Sequence, residues 1–466
     1  MRIPIFSTAC LASISLFSQN SISSKPLNVV YILADDLGYG DLGCYGQKIV
    51  KTPNIDQLAK NGMLFTQHYA GCTVSAPSRC ALMTGKHTGH SDIRGNKEIK
   101  PEGQTPMQTN RFTIAKLFKE AGYSTGIFGK WGLGFPGSES TPTKMGFDEF
   151  YGYNCQKLAH SYYPEHLWHN DQKVIFAENE NLGRKIYSPD SIQIHALQFI
   201  RENKKKPFFA MLTYTLPHAE LNVPHDSIYN QFSGKFVETK FTYNNDYFES
   251  DEPKASFAAM VQRLDSYVGE VVLELKKQNL DKNTIIIFTS DNGPHREGGA
   301  DPDFFKSYGP LRGVKRDMYE GGIRVPMIAS CPGIIKSNSK SELVSAFWDM
   351  MPTFAVLIHS KKKIESDGIS ILPTLFSEKN QKQHPYLYWE FHEQGGKVAV
   401  RMGKWKGVKL NYGKTPNGPM ELYDLSTDIH EDKNVVTKFP EIAGKIESII
   451  KDSHTKSELF NFGRTE

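Results

Sequence analysis

Leu27-Asn-Val-Val-Tyr-Ile-Leu-Ala-Asp-Asp36 is an apolar run that stops abruptly at two carboxylates. A short continuous apolar run closed by polar residues is the pattern of a strand buried on both faces that empties into a loop. The pattern recurs. Ser124 to Phe128 runs into Gly129-Lys130-Trp131, Pro207 to Thr215 reaches Pro217-His218, and Thr284 to Thr289 runs into Ser290-Asp291-Asn292-Gly293. Helical segments lie between these strands: Pro53 opens one through Leu64, and others span Thr113 to Ala121, Ser188 to Asn203 and Ala255 to Gln278. Pro suits a first helical turn, and Met260, Leu264, Val268, Val271 and Val272 give the longest helix its apolar stripe. Strands alternating with helices predict an α/β fold, a large mostly parallel mixed sheet flanked by helices. Ligands bind beyond the carboxyl ends of such strands, and those ends here deliver Asp35 and Asp36, Lys130, His218, and Asp291 with Asn292.

The pattern changes near residue 375. Tyr386 to Phe391, Lys397 to Arg401, Trp405 to Leu410 and Glu421 to Leu425 read as short strands between Gly and Asn turns, and Pro440 to Ser453 reads as a closing helix. The expected organisation is therefore a leader over 1–24, a catalytic α/β domain over 25–375, and a smaller antiparallel sheet with a helix over 376–466. The leader has Arg2, an apolar-to-small run from Ile3 to Phe17 and a serine-rich exit, the layout of a cleaved secretory signal. This predicts a periplasmic or secreted protein with no integral membrane segment after cleavage. Cys10 follows Ser7-Thr8-Ala9, which lacks the aliphatic residue of a lipoprotein cleavage site, so lipid anchoring is the lesser alternative.

The balance of 55 basic against 51 acidic residues gives a net charge of +4, too small to argue for a nucleic-acid partner. The five cysteines beyond the leader, Cys44, Cys72, Cys80, Cys155 and Cys331, show no C-x-x-C spacing and indicate neither a zinc site nor a disulfide framework. Asp35, Asp36, Asp291 and Asn292 offer oxygen alone, which suits a hard cation such as Ca²⁺ or Mg²⁺. Either pair by itself would be an ordinary strand terminator; both at the ends of apolar strands point to a metal.

The segment Gly71-Cys-Thr-Val-Ser-Ala-Pro-Ser-Arg-Cys-Ala-Leu-Met-Thr-Gly85 carries Ser75-x-Pro77-x-Arg79 followed by Thr84-Gly85. This resembles the signature of the type I sulfatases of the alkaline phosphatase superfamily, in which C-x-P-x-R or S-x-P-x-R holds the residue oxidised to formylglycine. Ala34-Asp-Asp-Leu-Gly-Tyr-Gly-Asp41, Gly129-Lys130-Trp131, Pro217-His218, Ser290-Asp-Asn-Gly293, Gly313-Val-Lys315 and Glu320-Gly-Gly-Ile-Arg-Val-Pro326 follow the same family order, and Leu422-Tyr-Asp-Leu425 is similar to its C-terminal subdomains. Only Ser75 has Pro at plus two and Arg at plus four, so Cys72 and Cys80 read as packing residues.

The resemblance implies a sulfuric ester hydrolase with an alkaline phosphatase-like fold. Its nucleophile would be Ser75 converted to 3-oxoalanine (formylglycine), with Arg79 holding the modified side chain. Lys130 and Lys315 would face the sulfate oxygens, His218 would serve the leaving alcohol, and Ca²⁺ would sit on Asp35, Asp36, Asp291, Asn292 and the modified Ser75. A plain serine could take a sulfuryl group but has no internal route to release it. A formylglycine hydrate has a second geminal hydroxyl, whose deprotonation expels sulfate and restores the aldehyde. The chain departs from the family at Gly132, where many members have a histidine. His295 is expected either to replace it or to contact substrate, or else to be an ordinary loop histidine.

The implied substrate is a sulfated saccharide, a glycosaminoglycan or algal polysaccharide fragment, with His160, Trp168, His295 and Arg296 as candidate contacts. The serine type implies a radical S-adenosylmethionine sulfatase-maturing enzyme as partner. The competing readings are a phosphatase or phosphodiesterase of the same superfamily using unmodified Ser75, and a sulfated-glycan binding protein without activity.

Overall fold

A computed structural model describes residues 25–244 and 246–463. The predicted leader, Cys10 included, lies outside the described residues. The main sheet contains β1 (Asn28–Ala34), β2 (Met63–Tyr69), β3 (Ser124–Lys130), β4 (Glu149–Tyr153), β5 (His166–His169), β6 (Gln172–Ile175), β7 (Phe208–Thr213), β8 (Thr284–Ser290), β9 (Arg324–Ser330), β10 (Ser339–Ser341) and β11 (Ser345–Ala346). They are ordered β10-β2-β9-β8-β1-β7-β3-β4-β5-β6, with β11 also on β2. β8, β1, β7, β3 and β4 run parallel, whereas β9 is antiparallel to both β8 and β2. The sheet is the mixed, mostly parallel one that the alternating pattern predicts.

β1 sits at the centre of this sheet, and Val29 through Leu33 are fully buried. Each such side chain contributes about 1.5–3 kcal/mol of apolar burial. Val30 and Ile32 join the core on one face, while Val29, Tyr31 and Leu33 join the core on the other. Alternation of side chains across a strand divides them in this way. The 25-residue helix Pro253–Lys277 covers the first face. Its Asp265 accepts from the Asn54 and Ile55 backbone N–H groups at 3.2 and 2.8 Å, capping the free end of the helix Pro53–Lys60. That helix ends at Lys60, four residues before the expected Leu64, because Asn61 and Gly62 break it and Met63-Leu64 enter β2.

A second, antiparallel sheet contains β12 (Leu387–Phe391), β13 (Lys397–Met402), β14 (Trp405–Leu410) and β15 (Glu421–Asp424) in chain order. Trp389, Phe391, Ala399 and Val408 pack against Tyr69, Cys72 and Val74 of the main body. Ile446 and Ile450 of the helix Pro440–Ser453 cover the opposite face. A buried charge network pins this sheet in place. Lys406 Nζ lies 2.9 Å from Glu320 and 3.5 Å from Glu431, and Arg324 lies 3.2 Å from Glu320. Glu431 also accepts the Glu320 backbone N–H at 2.7 Å.

Candidate active site

The carboxyl ends of β1, β3, β7 and β8 converge as expected, and the helix Ser75–Thr84 approaches them from the end of β2. Pro77 lies in that helix's first turn, where its missing N–H is harmless. The Asn96 side chain accepts the otherwise free Ala76 N–H at 3.1 Å. Ser75 is only 2% exposed, and the helix is buried along its whole length.

Ser75 Oγ donates to Asp35 Oδ1 at 3.2 Å. Lys130 Nζ lies 2.6 Å from the other oxygen of the same carboxylate. Arg79 donates through Nε and Nη2 to Asp291 Oδ2 at 3.0 and 2.8 Å, and through Nη1 to the Lys130 carbonyl at 2.8 Å. One guanidinium thus ties together the ends of β3 and β8. Asp36, with a left-handed φ of 62°, donates its N–H to Asp291 Oδ1 at 3.1 Å and accepts from Asn292 Nδ2 at 2.6 Å. Lys315 Nζ completes the group, 2.8 Å from Asp36 Oδ2 and 3.1 Å from His218 Nε2. Its loop docks because Gly293 and Gly321 let two backbones meet: a Cβ on Gly293 would lie 1.9 Å from the Gly321 carbonyl oxygen. Lys315 N–H then donates to Pro294 O at 2.7 Å.

Burial would raise the Asp35 carboxyl, but Lys130, His218, Arg79 and Lys315 hold it well below its ordinary range. Asp291 goes the other way: burial and the neighbouring Asp35 push it up to about 6. Asn292 Oδ1 is buried without a hydrogen-bond partner among the described residues. Three crowded carboxylates and an orphaned amide oxygen, all oxygen donors, fit a hard divalent cation. Asp35, Asp36 and His218 also present ligand atoms within 4.8 Å of one another.

His218 is sandwiched between two imidazoles, His160 at 5.2 Å and His295 at 5.6 Å between ring centroids. Its Nδ1–H donates to the Ala219 carbonyl, which leaves Nε2 bare toward Lys315. Burial and Lys315 push its pKa down to about 4, so the ring is neutral near neutrality. His295 donates from Nε2 to Pro217 O at 3.2 Å and accepts the Glu297 N–H on Nδ1 at 3.1 Å. Backbone groups occupy both nitrogens, so His295 orients the loop of His218 and has no free nitrogen to act as a base. At Gly132 the backbone has φ 71°, and a Cβ there would strike the Gln156 amide at 2.2 Å. The Gln156 side chain fills that space.

Among the described residues, two of the expected substrate contacts have partners other than the carboxylate cluster. Arg296 pairs with Asp303 at 2.6 Å on the surface. Trp168, on β5, donates its indole N–H to Glu102 at 2.7 Å. Conversely, Glu297 belongs to the site without any sequence signal beyond its place in the loop after Asn292. It lies 2.8 Å from Lys315 Nζ and 3.6 Å from His218 Nε2, pairs with Arg316, and accepts from the Tyr247 hydroxyl at 3.0 Å. Cys72 and Cys80 are buried, and burial pushes both thiols up to about 12. The five cysteines among the described residues are free thiols.

The sulfatase family profile matches residues 27–360, and the profile of the N-sulphoglucosamine sulphohydrolase C-terminal region matches 314–456. The chain is 30% identical to arylsulfatase A of Homo sapiens, over 89% of this chain and 84% of that protein. It is 28% identical to N-acetylgalactosamine-6-O-sulfatase of Bacteroides thetaiotaomicron, over 94% and 95%. Among solved structures, Ps i-CgsB in complex with k-i-k-neocarrahexaose superposes with a TM-score of 0.76 at 30% identity, covering 92% of this chain and 93% of that one.

Proposed function

The chain belongs to the sulfatase family and is a sulfuric ester hydrolase, and from that premise we propose that it removes sulfate from a sulfated carbohydrate, using Ser75 oxidised to formylglycine as nucleophile. The observation that carries this reading is the position of Ser75 Oγ, 3.2 Å from Asp35 in a buried cluster whose carboxylates are held by Arg79, Lys130 and Lys315. Transfer of a sulfuryl group spreads negative charge over its oxygens, and fixed cations in a buried site stabilise that charge without reorganising.

The formylglycine hydrate would supply an attacking hydroxyl and a second hydroxyl; loss of the second hydroxyl's proton to the Asp35 carboxylate beside it lets the C–O bond to sulfate break as the aldehyde C=O re-forms. Asp35, Asp36, Asp291, Asn292 and the modified Ser75 would hold Ca²⁺, which supplies Lewis acidity toward a sulfate oxygen. Arg79 and Lys130 orient the nucleophile and neutralise the charge around it. Lys315 and His218 serve the leaving alcohol: the ammonium, held between Asp36, Glu297 and His218 Nε2, donates hydrogen bonds that stabilise the charge on the departing oxygen, which takes its proton from water. The substrate class follows the relatives, an N-acetylgalactosamine-6-O-sulfatase and a protein crystallised with a carrageenan-type hexaose. The chain is exported through residues 1–24, and a radical S-adenosylmethionine enzyme oxidises Ser75 before or during export.

Peptide mass spectrometry of protein from its native host tests the nucleophile: formylglycine lacks two hydrogens relative to serine. A preparation that hydrolyses sulfate esters while retaining only serine overturns it. Turnover of a panel of defined sulfated saccharides tests the substrate class.

A further inference from the structure

We propose that a recess beside the Ser75 helix is a second saccharide subsite, which takes the ring next to the sulfated one in an anionic oligosaccharide. This rests on the carbohydrate reading above. The recess holds about 190 Å³ and lies between the loop 95–97, the turn after β12 and the segment 459–463. Its size suits one ring.

Asn96 joins this recess to the site. Its side chain accepts the N–H of Ala76, the residue after Ser75, at 3.1 Å, and its own N–H donates to Glu393 Oε1 at 2.6 Å. Glu393 is half-buried, and its second oxygen takes no protein hydrogen bond among the described residues, which leaves that oxygen able to accept from a sugar hydroxyl. Burial raises the Glu393 carboxyl while Arg316 and Lys315 lower it, which places it within the field of the site's cations.

Largely buried aromatic rings back the recess, with only their edges toward it. Phe462 stacks on His392 with 3.7 Å between centroids, Phe460 meets the same imidazole edge-on at 5.8 Å, and Leu459 is exposed at the rim. A carboxylate together with an exposed Leu459 side chain matches a pyranose ring, whose hydroxyls lie at its edge and whose C–H groups lie on its face. The Glu393 carboxylate disfavours an anionic group at its own end of the recess, and the cation that can take one is Lys97 at the rim. It is exposed on the rim and forms no ion pair among the described residues. An ammonium there favours a uronate or a second sulfate on the neighbouring ring.

The test compares kcat/KM of the full chain and its variants on three probes. These are 4-nitrophenyl sulfate, a tetrasaccharide of chondroitin 6-sulfate or ι-carrageenan (whichever the wild type hydrolyses faster), and the monosaccharide carrying the same sulfate. Lys97→Glu is expected to lower kcat/KM on the tetrasaccharide about tenfold, mainly through KM, and to change the other two less than about twofold. Lys97 is exposed, so folding is not at stake. Lys282→Glu, exposed at the amino end of β8 and away from the site, controls for net charge and should leave all three unchanged. Equal losses on the tetrasaccharide and monosaccharide, or no loss on either, overturn the subsite while the carbohydrate reading stands. A wild type that turns over 4-nitrophenyl sulfate but none of the saccharides overturns both.

Discussion

Lys315 and Glu297 meet at 2.8 Å inside the site, and the same ammonium reaches Asp36 and His218. Glu297 therefore fixes where the Lys315 charge points. Glu297→Gln keeps the shape and removes the anion. It should lower kcat on 4-nitrophenyl sulfate about tenfold to a hundredfold with little change in KM, since misdirecting one charge-stabilising donor acts on the transition state. Steady-state kinetics beside a melting curve separates this from a folding defect. Undiminished kcat would remove Glu297 from the reaction.

Ser75→Ala should abolish turnover of every sulfate ester, whereas Cys72→Ala should retain most of it. The Cys72 thiol is buried and directed at the Glu390 carbonyl at 3.5 Å. Loss of activity in a folded Cys72→Ala protein would contradict the choice of nucleophile.

Chelation should lower both activity and the thermal midpoint, and Ca²⁺ should restore them. Saturation at a hundred times Kd stabilises by about 2.7 kcal/mol, a shift of several degrees. In Asn292→Ala, which loses the orphaned amide oxygen, calorimetry should show weaker Ca²⁺ binding. An unaltered Ca²⁺ titration would count against that ligand.

His68 predicts acid sensitivity remote from chemistry. The ring is fully buried, its Nδ1 pairs with Ser345 Oγ at 2.9 Å while its Nε2 has no partner among the described residues, and burial lowers its pKa from 6.5 to about 3. Because the folded value is depressed, the unfolded chain binds the extra proton. The stabilising contribution is complete above pH 6.5 and is lost as pH falls toward 3, by up to about 5 kcal/mol. Melting curves between pH 7 and 4 should fall less steeply for His68→Gln than for the wild type.

Lys406 should be costly to remove. Lys406→Met leaves Glu320 and Glu431 buried with less positive charge between them, a loss of about 3–5 kcal/mol. Adding Glu431→Gln should recover part of it in a denaturant titration. A mild single variant would show that Arg324 alone suffices for Glu320.

The sheet centre was legible in the sequence because β1 and β8 are uninterrupted apolar runs with both faces buried. The helix Pro440–Ser453 was legible through its Pro start and amphipathic stripe. β9 was not, since Pro326 inside Arg324-Val-Pro-Met-Ile-Ala-Ser330 argues against a strand. The structure accommodates that proline where the β2–β9 register shifts between Phe65 and His68, a bulge that relieves the missing N–H. The site's carboxylates and lysines could be read from strand ends. Glu297 and Gln156 could not, because each acquires its meaning only from a partner distant in sequence, Lys315 for one and the glycine backbone at 132 for the other.

The enclosure of Ser75 also sets an order of events in the life of the chain. At 2% exposure, inside a helix with no exposed face, its hydroxyl is out of reach of any second protein once the fold has closed. Under the proposed oxidation the modifying enzyme must meet a nascent or still-open chain. Protein that folds first would be trapped, stable but inert, and adding the enzyme afterwards would not rescue it.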